Sequence, residues 1–267
     1  MESTHQYIFF DTHKIHYITY GKGVKIIVAF HGYGQDASYF SHLENYTENN
    51  YTILAIDLPY HGASNWDETP FTKAQLGSII KQILTQYNIN KISLLGYSLG
   101  GKVCFTIIEL MPEVIEQVVL LAPAEMQFNV TYYFATSTYL GNLLFKYTIK
   151  KPQYLILWNN LLLKIKLINV SRHKFFNHYL QSEILRIELY KIWMALRQIV
   201  PRRKTLYNNI IKNKLPINIF IGAFDSIITL KSALKFKKRI NTAQIHILQK
   251  GHRILDNSTA RQIIETF

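Results

Sequence analysis

The chain has 267 residues, of which 48% are hydrophobic, 13% aromatic and only 18% charged. This composition excludes a disordered or fibrous protein and predicts a globular chain with a substantial core. The single cysteine, Cys104, excludes an internal disulfide and gives no indication of a thiolate metal site.

The formal net charge of +13 is concentrated in one segment. Residues 127–214 contain 15 of the 30 Lys and Arg residues but only 2 of the 17 Asp and Glu residues, so the rest of the chain is neutral. Aromatic residues in this segment are interleaved with aliphatic ones, which disfavours a nucleic-acid-binding surface. We therefore expect the segment to form a distinct part of the protein.

Before residue 127, short β-branched runs alternate with helical stretches, a pattern typical of a largely parallel sheet flanked by helices. The predicted strands here are Tyr7–Phe10, Lys14–Tyr20, Val24–Phe30, Tyr51–Asp57, Lys91–Leu95 and Gln117–Leu121. The predicted helices are Thr72–Tyr87 and Leu99–Leu110.

The strand pattern resumes after residue 214, with predicted strands at Pro216–Gly222 and Ala243–Leu248. Residues 127–214 are helical in character, and Ser182 is a predicted N-cap within them. The sequence thus predicts a core formed by residues 1–126 and 215–267, with residues 127–214 inserted as a helical cap.

The motif Gly96-Tyr97-Ser98-Leu99-Gly100-Gly101 lies between a predicted strand and a predicted helix. This context is typical of a nucleophile elbow, in which a strained serine is exposed at the start of a helix. Glycines are expected at 96 and 100 because side chains there would collide in so sharp a turn.

Four further segments follow the same order as in a known family: His31-Gly32-Tyr33-Gly34, Asp57–Ser64, Ile221–Asp225 and Gly251-His252. Together with the elbow, they resemble the α/β-hydrolase family over residues 14–267, although Tyr60 replaces the glycine usual in the second segment. The resemblance implies an α/β-hydrolase fold, with the helical cap inserted before the strand that carries the catalytic acid.

A serine hydroxyl needs a base within hydrogen-bonding distance, and that base needs a third group to fix its tautomer. We assign Ser98 as nucleophile, His252 as general base and then acid, and Asp225 as the orienting carboxylate. Glu125 is an alternative acid, because some hydrolases of this fold carry the acid after the preceding strand. His61 is an alternative catalytic histidine, although its loop is more typical of a structural role. Asp57 precedes Ser98 in the chain, so we expect it to hold its loop and not to act as the catalytic acid.

The loop that begins at His31 is expected to contribute to an oxyanion hole. The backbone N–H groups of Tyr33 and Leu99 would stabilise the tetrahedral oxyanion, each by about 3 kcal/mol. Gly32 and Gly34 would allow the loop to approach the reacting atoms closely.

The resemblance also indicates the reaction class, because epoxide hydrolases and dehalogenases of this fold have aspartate where Ser98 stands. We expect hydrolysis of carboxylic esters through an acyl-enzyme, with medium or long acyl chains of the monoacylglycerol or lysophospholipid type. Alternatives are a lyase, a carbon-carbon bond hydrolase or an acyltransferase using the same triad, and a non-catalytic binding protein. No cofactor or metal is expected, since the sequence has no phosphate-binding loop, dinucleotide fingerprint or metal-ligand spacing.

The predicted cap contains 15 of the 36 aromatic residues together with the excess of cations. Such a segment is suited to form an acyl pocket and to contact an anionic membrane. Alternatively, its helices pack on the sheet and its cations form a solvated face. The N-terminal residues Met1–Gln6 do not resemble a signal peptide. The sequence thus predicts a cytoplasmic protein that can associate peripherally with the inner membrane surface.

Overall fold

A computed structural model describes residues 4–10, 12–47, 50–66, 70–126, 129–166, 168 and 170–267. Eight strands form one sheet in the order β1-β2-β4-β3-β5-β6-β7-β8. The strands are β1 (Thr4–Phe10), β2 (His13–Tyr20), β3 (Lys25–Phe30), β4 (Tyr51–Ile56), β5 (Ile92–Tyr97), β6 (Ile115–Leu121), β7 (Ile217–Gly222) and β8 (Ala243–Leu248). β1 and β2 pair antiparallel, as do β2 and β4, and all the other pairs are parallel.

The chain folds into two compact units. The first, the sheet unit, contains the sheet and, among its described residues, the helices α1 (Lys73–Gln86), α2 (Leu99–Leu110), α8 (Arg203–Lys212), α9 (Leu230–Lys237) and α10 (Ala260–Ile264). The second, the helical unit, contains α3 (Val130–Ser137), α4 (Tyr139–Lys150), α5 (Gln153–Lys164), α6 (Val170–Gln181) and α7 (Glu183–Ala195).

The sheet unit has helices on both faces of its sheet. α2 packs on β3, β5 and β6 and also contacts α1 and α8. On the other face, a 3-10 helix at Ala37–Tyr46 contacts α10. Alternate strand residues such as Ile27, Ala29 and Leu95 belong to the buried cluster on this second face. The predicted fold class, a mostly parallel sheet flanked by helices, is confirmed.

The helical unit differs in extent from the predicted insertion. Gln127, where that insertion was expected to begin, lies outside the described residues. At the other end, α8 belongs to the sheet unit and buries Leu206 and Ile210. Ser182 caps α7 as predicted, since its side chain accepts a hydrogen bond from the Leu185 N–H. In the described part of the chain, no helix combines the length and apolar character that crossing a membrane requires.

Candidate active site

The elbow lies where β5 ends and α2 begins. Ser98 has φ 47° and ψ −108°, a strained conformation for a residue with a side chain. Three backbone hydrogen bonds hold it there. The Ser98 N–H donates to the Leu121 carbonyl at 2.9 Å, and the Ser98 carbonyl accepts from Gly101 at 3.0 Å and Ala124 at 2.8 Å. The strained serine is thus attached to the end of the neighbouring strand β6.

Two elbow glycines are needed for different reasons. A Cβ at Gly96 would lie 2.8 Å from the Gly100 carbonyl oxygen and 2.7 Å from the Cys104 sulfur. A Cβ at Gly100 would lie 1.8 Å from the carbonyl oxygen of Phe30 in β3. A collision between positions 96 and 100, which the sequence led us to expect, therefore explains only part of the need for these two glycines. Gly100 is needed chiefly because α2 starts so close to β3.

The structure brings together the hydroxyl, imidazole and carboxylate selected from the sequence. His252 Nε2 lies 3.0 Å from Ser98 Oγ, and His252 Nδ1 lies 2.7 Å from Asp225 Oδ2. Ser98, Asp225 and His252 follow β5, β7 and β8 respectively, so all three lie at the carboxyl edge of the parallel strands. With Nδ1–H donating to the carboxylate, Nε2 is left to accept the serine proton.

Backbone groups fix the orientation of the Asp225 carboxylate, whose side chain is fully buried. Its Oδ1 accepts hydrogen bonds from the Ile227 N–H at 2.8 Å and the Ile228 N–H at 2.9 Å. Its other oxygen, Oδ2, therefore faces His252. This arrangement provides the carboxylate that a catalytic imidazole needs.

Two tyrosines that were not selected from the sequence form a stack next to the imidazole, with Tyr97 as the inner ring and Tyr39 as the outer one. The ring of Tyr97 is centred 5.4 Å from that of His252, and Tyr39 stacks on Tyr97 at 4.6 Å. Burial, with the nearby charge of Asp225, raises the pKa of Tyr97 to about 12, and burial also raises the pKa of Tyr39. Both phenols are therefore neutral near pH 7. Tyr97 could have been noticed from its position before Ser98, but no sequence signal singles out Tyr39.

The predicted oxyanion donors lie on a backbone turn and at the start of a helix. Tyr33 occupies the turn Gly32–Gln35, which is closed by a hydrogen bond from the Gln35 N–H to the Gly32 carbonyl at 3.3 Å. Gly34 has φ 68°, a left-handed conformation that a glycine adopts without strain. Leu99 is the first residue of α2, so its N–H has no acceptor within the helix.

Two buried histidines support the turn that carries Tyr33. His31 donates from Nδ1 to the Gly32 carbonyl at 2.8 Å and accepts the Leu58 N–H on Nε2 at 3.0 Å. His61 donates from Nδ1 to the Pro59 carbonyl at 2.9 Å and accepts the Gly34 N–H on Nε2 at 3.4 Å.

These contacts define the roles of both imidazoles. Burial lowers the pKa of His31, and burial together with the neighbouring His31 lowers the pKa of His61 to about 3. Both rings are therefore neutral at pH 7, and both nitrogens of each ring are engaged by backbone groups. The alternative catalytic role of His61 finds no support in this geometry.

The two other carboxylates considered have different environments. Asp57 Oδ1 accepts the Ala37 N–H at 2.6 Å, and its Oδ2 accepts the Ala63 N–H at 2.8 Å and lies 2.7 Å from His16 Nδ1. It thus holds its loop, as expected. Burial raises the pKa of Glu125, while the nearby Lys102 and Arg203 oppose that rise.

Lys102 was not anticipated, because it lies within a helix that is largely apolar in sequence. It is only 2% exposed, and burial lowers its pKa to about 8. Among the described residues, no group of three or more His, Cys, Asp or Glu side chains is arranged to hold a metal ion.

Comparisons with known proteins agree with this architecture. A family model described as the alpha/beta hydrolase fold matches residues 25–150. The chain is 26% identical over 121 residues to the dihydrolipoyllysine-residue acetyltransferase component of the acetoin cleaving system from Cupriavidus necator. It is 25% identical over 104 residues to a soluble epoxide hydrolase from a Corynebacterium species. These alignments cover 45% and 39% of this chain but only 32% and 36% of the two relatives.

A solved structure extends the likeness to nearly the whole chain. The esterase EaEST from Exiguobacterium antarcticum superposes with a TM-score of 0.68 at 16% sequence identity. The superposition covers 98% of this chain and 99% of the esterase. At so low an identity it is the fold that is shared. The protein described here therefore has the α/β-hydrolase fold.

Proposed function

We propose that this protein is a serine hydrolase that cleaves carboxylic esters through an acyl-enzyme. The observation that carries the proposal is the position of the His252 imidazole, 3.0 Å from Ser98 Oγ and 2.7 Å from Asp225 Oδ2. Similarity to hydrolases of the same fold supports the general class. A serine nucleophile favours acyl transfer over the aspartate-based chemistry of the family's epoxide hydrolases.

In the proposed mechanism, His252 Nε2 takes the proton of Ser98 as Oγ attacks the ester carbonyl. The N–H groups of Tyr33 and Leu99 stabilise the resulting oxyanion. The imidazolium, stabilised by Asp225, then protonates the leaving alcohol, and the acyl group remains on Ser98. Water activated by the same imidazole attacks the acyl-enzyme and releases the carboxylic acid.

A fluorophosphonate probe tests the nucleophile directly. We expect labelling of the folded wild type and none of Ser98→Ala, because the probe reacts with a serine that an adjacent base activates. Ser38→Ala is the matched control, since Ser38 is exposed and bonds to Asp36 at the start of the 3-10 helix. Equal labelling of the wild type and Ser98→Ala would contradict the assignment, as would no labelling of the wild type.

The substrate proposal is an ester with a medium or long acyl chain. It rests on the composition of residues 127–214, which contain 15 of the 36 aromatic residues. With a p-nitrophenyl ester series, we expect kcat/KM to rise from acetate to octanoate, by about 15-fold for each pair of buried methylenes. A maximum at acetate would contradict the chain-length preference while leaving the triad assignment intact.

A further inference from the structure

The helical unit has an exposed apolar surface on two consecutive helices. Five large side chains on α4 are between 47% and 88% exposed: Tyr139, Leu140, Leu143, Leu144 and Tyr147. Five residues on α5 and at its end are between 44% and 64% exposed: Tyr154, Leu157, Trp158, Leu161 and Ile165. Each set has the spacing of one helical face. A surface of this kind marks an interaction site on a globular protein.

The two exposed faces are continuous with each other. The rings of Tyr147 on α4 and Tyr154 on α5 stack with their centroids 6.3 Å apart, across a connection of two residues, Lys151 and Pro152. We call the ten side chains together the α4–α5 surface. It combines aliphatic residues with three tyrosines and a tryptophan, the residues enriched where a protein meets a bilayer interface.

The charges that α4, the connection and α5 carry have one sign. Exposed lysines stand on α4, in the connection and at the end of α5: Lys146, Lys150, Lys151, Lys164 and Lys166. No Asp or Glu occurs in the sequence between Glu125 and Glu183. Two copies of so basic a surface would repel each other. The complementary partner is anionic, and the exposed aromatic and aliphatic side chains require that it also offer an apolar phase.

We propose that the α4–α5 surface docks this protein onto anionic phospholipid bilayers. The apolar side chains enter the boundary between head groups and acyl chains, while the lysines contact the lipid phosphates. Both helices lie in the plane of the interface. The proposal stands on the helical unit alone and does not depend on the proposed hydrolase activity.

The test measures binding of the full-length protein to phosphatidylcholine vesicles with and without phosphatidylglycerol. We expect binding to the anionic vesicles only, weakened as salt concentration rises. The double variant Lys146→Glu/Lys150→Glu should bind at least about tenfold more weakly, because each lysine near an anionic surface contributes about a fivefold gain. Lys235→Glu/Lys237→Glu on α9 carries the same charge change in the sheet unit and should stay within about twofold of the wild type.

Fluorescence identifies the part of the protein that inserts. Of the three tryptophans, Trp158 is 58% exposed, Trp66 is buried in the sheet unit, and Trp193 is half-buried with its ring packed on Tyr132 and Phe145. Brominated anionic lipids should quench the wild type and should quench Trp158→Phe much less. Leu157→Ser, which removes one inserting side chain, should bind several-fold more weakly. Ile211→Ser on α8, at a residue 56% exposed, should bind like the wild type.

Four results would overturn the proposal. They are absence of binding to anionic vesicles, equal binding to both kinds of vesicle, equal loss of binding in the α9 control, and quenching that survives Trp158→Phe. A dimer that Leu157→Ser disrupts, with no vesicle binding, would instead assign the surface to a second copy of this chain. Ser98→Ala should bind vesicles like the wild type, so failure of the hydrolase proposal can be recognised separately.

Discussion

Replacing Asp225 with Asn is expected to lower kcat for ester hydrolysis by about 10⁴-fold, with a much smaller change in KM. The backbone N–H groups of Ile227 and Ile228 donate to Oδ1 and would hold the amide oxygen of the variant in that position. The amide NH₂ would then occupy the place of Oδ2, 2.7 Å from His252 Nδ1. There it can only donate, so the imidazole would adopt the Nε2–H tautomer, which cannot accept the proton of Ser98.

Glu125→Gln is the matched control, because Glu125 is the other acid indicated by the sequence. It changes a half-buried carboxylate to an amide in the same way, at a site whose neighbouring charges are Lys102 and Arg203. We expect its kcat to stay within about threefold of the wild type. Thermal unfolding of both variants would show that they are folded. A large loss in Glu125→Gln with none in Asp225→Asn would reverse the assignment of the acid.

The order of the candidate triad could be predicted from the sequence because each member lies within four residues of the end of a recognisable strand. In a parallel sheet, residues after successive strands lie at the same edge, so Ser98, Asp225 and His252 were expected to be near one another. The glycines of the elbow gave the turn that exposes Ser98. These signals are local. They remain valid where the observed strand end differs slightly from the predicted one, as for β5, which ends at Tyr97 and not at the predicted Leu95.

Features that depend on packing between distant segments could not be predicted. α8 resembles the preceding basic helices in composition, yet Asn209 bonds to the carbonyls of Ile108 and Glu109 at the end of α2. Lys102 is flanked along α2 by apolar residues and glycines. No pattern along the sequence reveals that its side chain is buried near Glu125.

His31 and His61, which hold the turn Gly32–Gln35 by hydrogen bonds, affect both the candidate oxyanion site and the stability of the fold. His31 and His61 lie with ring centroids 4.8 Å apart, and each accepts a backbone N–H on its Nε2. Protonating either ring would place a proton on its Nε2, which would then face the backbone N–H group from which it now accepts a hydrogen bond. The turn that carries Tyr33 therefore requires both rings to be neutral, and acid should disturb this turn together with the folded state.

Acidification from pH 6.5 to 5.0 is expected to lower the free energy of unfolding by about 2 kcal/mol through His61 alone. In the folded state burial holds the pKa of His61 at about 3, whereas in the unfolded chain the ordinary value is about 6.5. Between these values only the unfolded state binds the proton. The stabilisation from neutral His61 is thus complete above about pH 6.5 and is lost progressively as the pH falls toward 3. The lowered pKa of His31 acts in the same direction.

Urea unfolding at several pH values in this range measures the effect, with His61→Gln as the test variant. Glutamine can still accept the Gly34 N–H but does not titrate, so its free energy of unfolding should fall by about 2 kcal/mol less than that of the wild type between pH 6.5 and 5.0. Comparing the change with pH, rather than the stability at one pH, separates titration from any loss of packing in the variant. The same pH dependence in His61→Gln and the wild type would show that His61 is not held neutral in the folded protein.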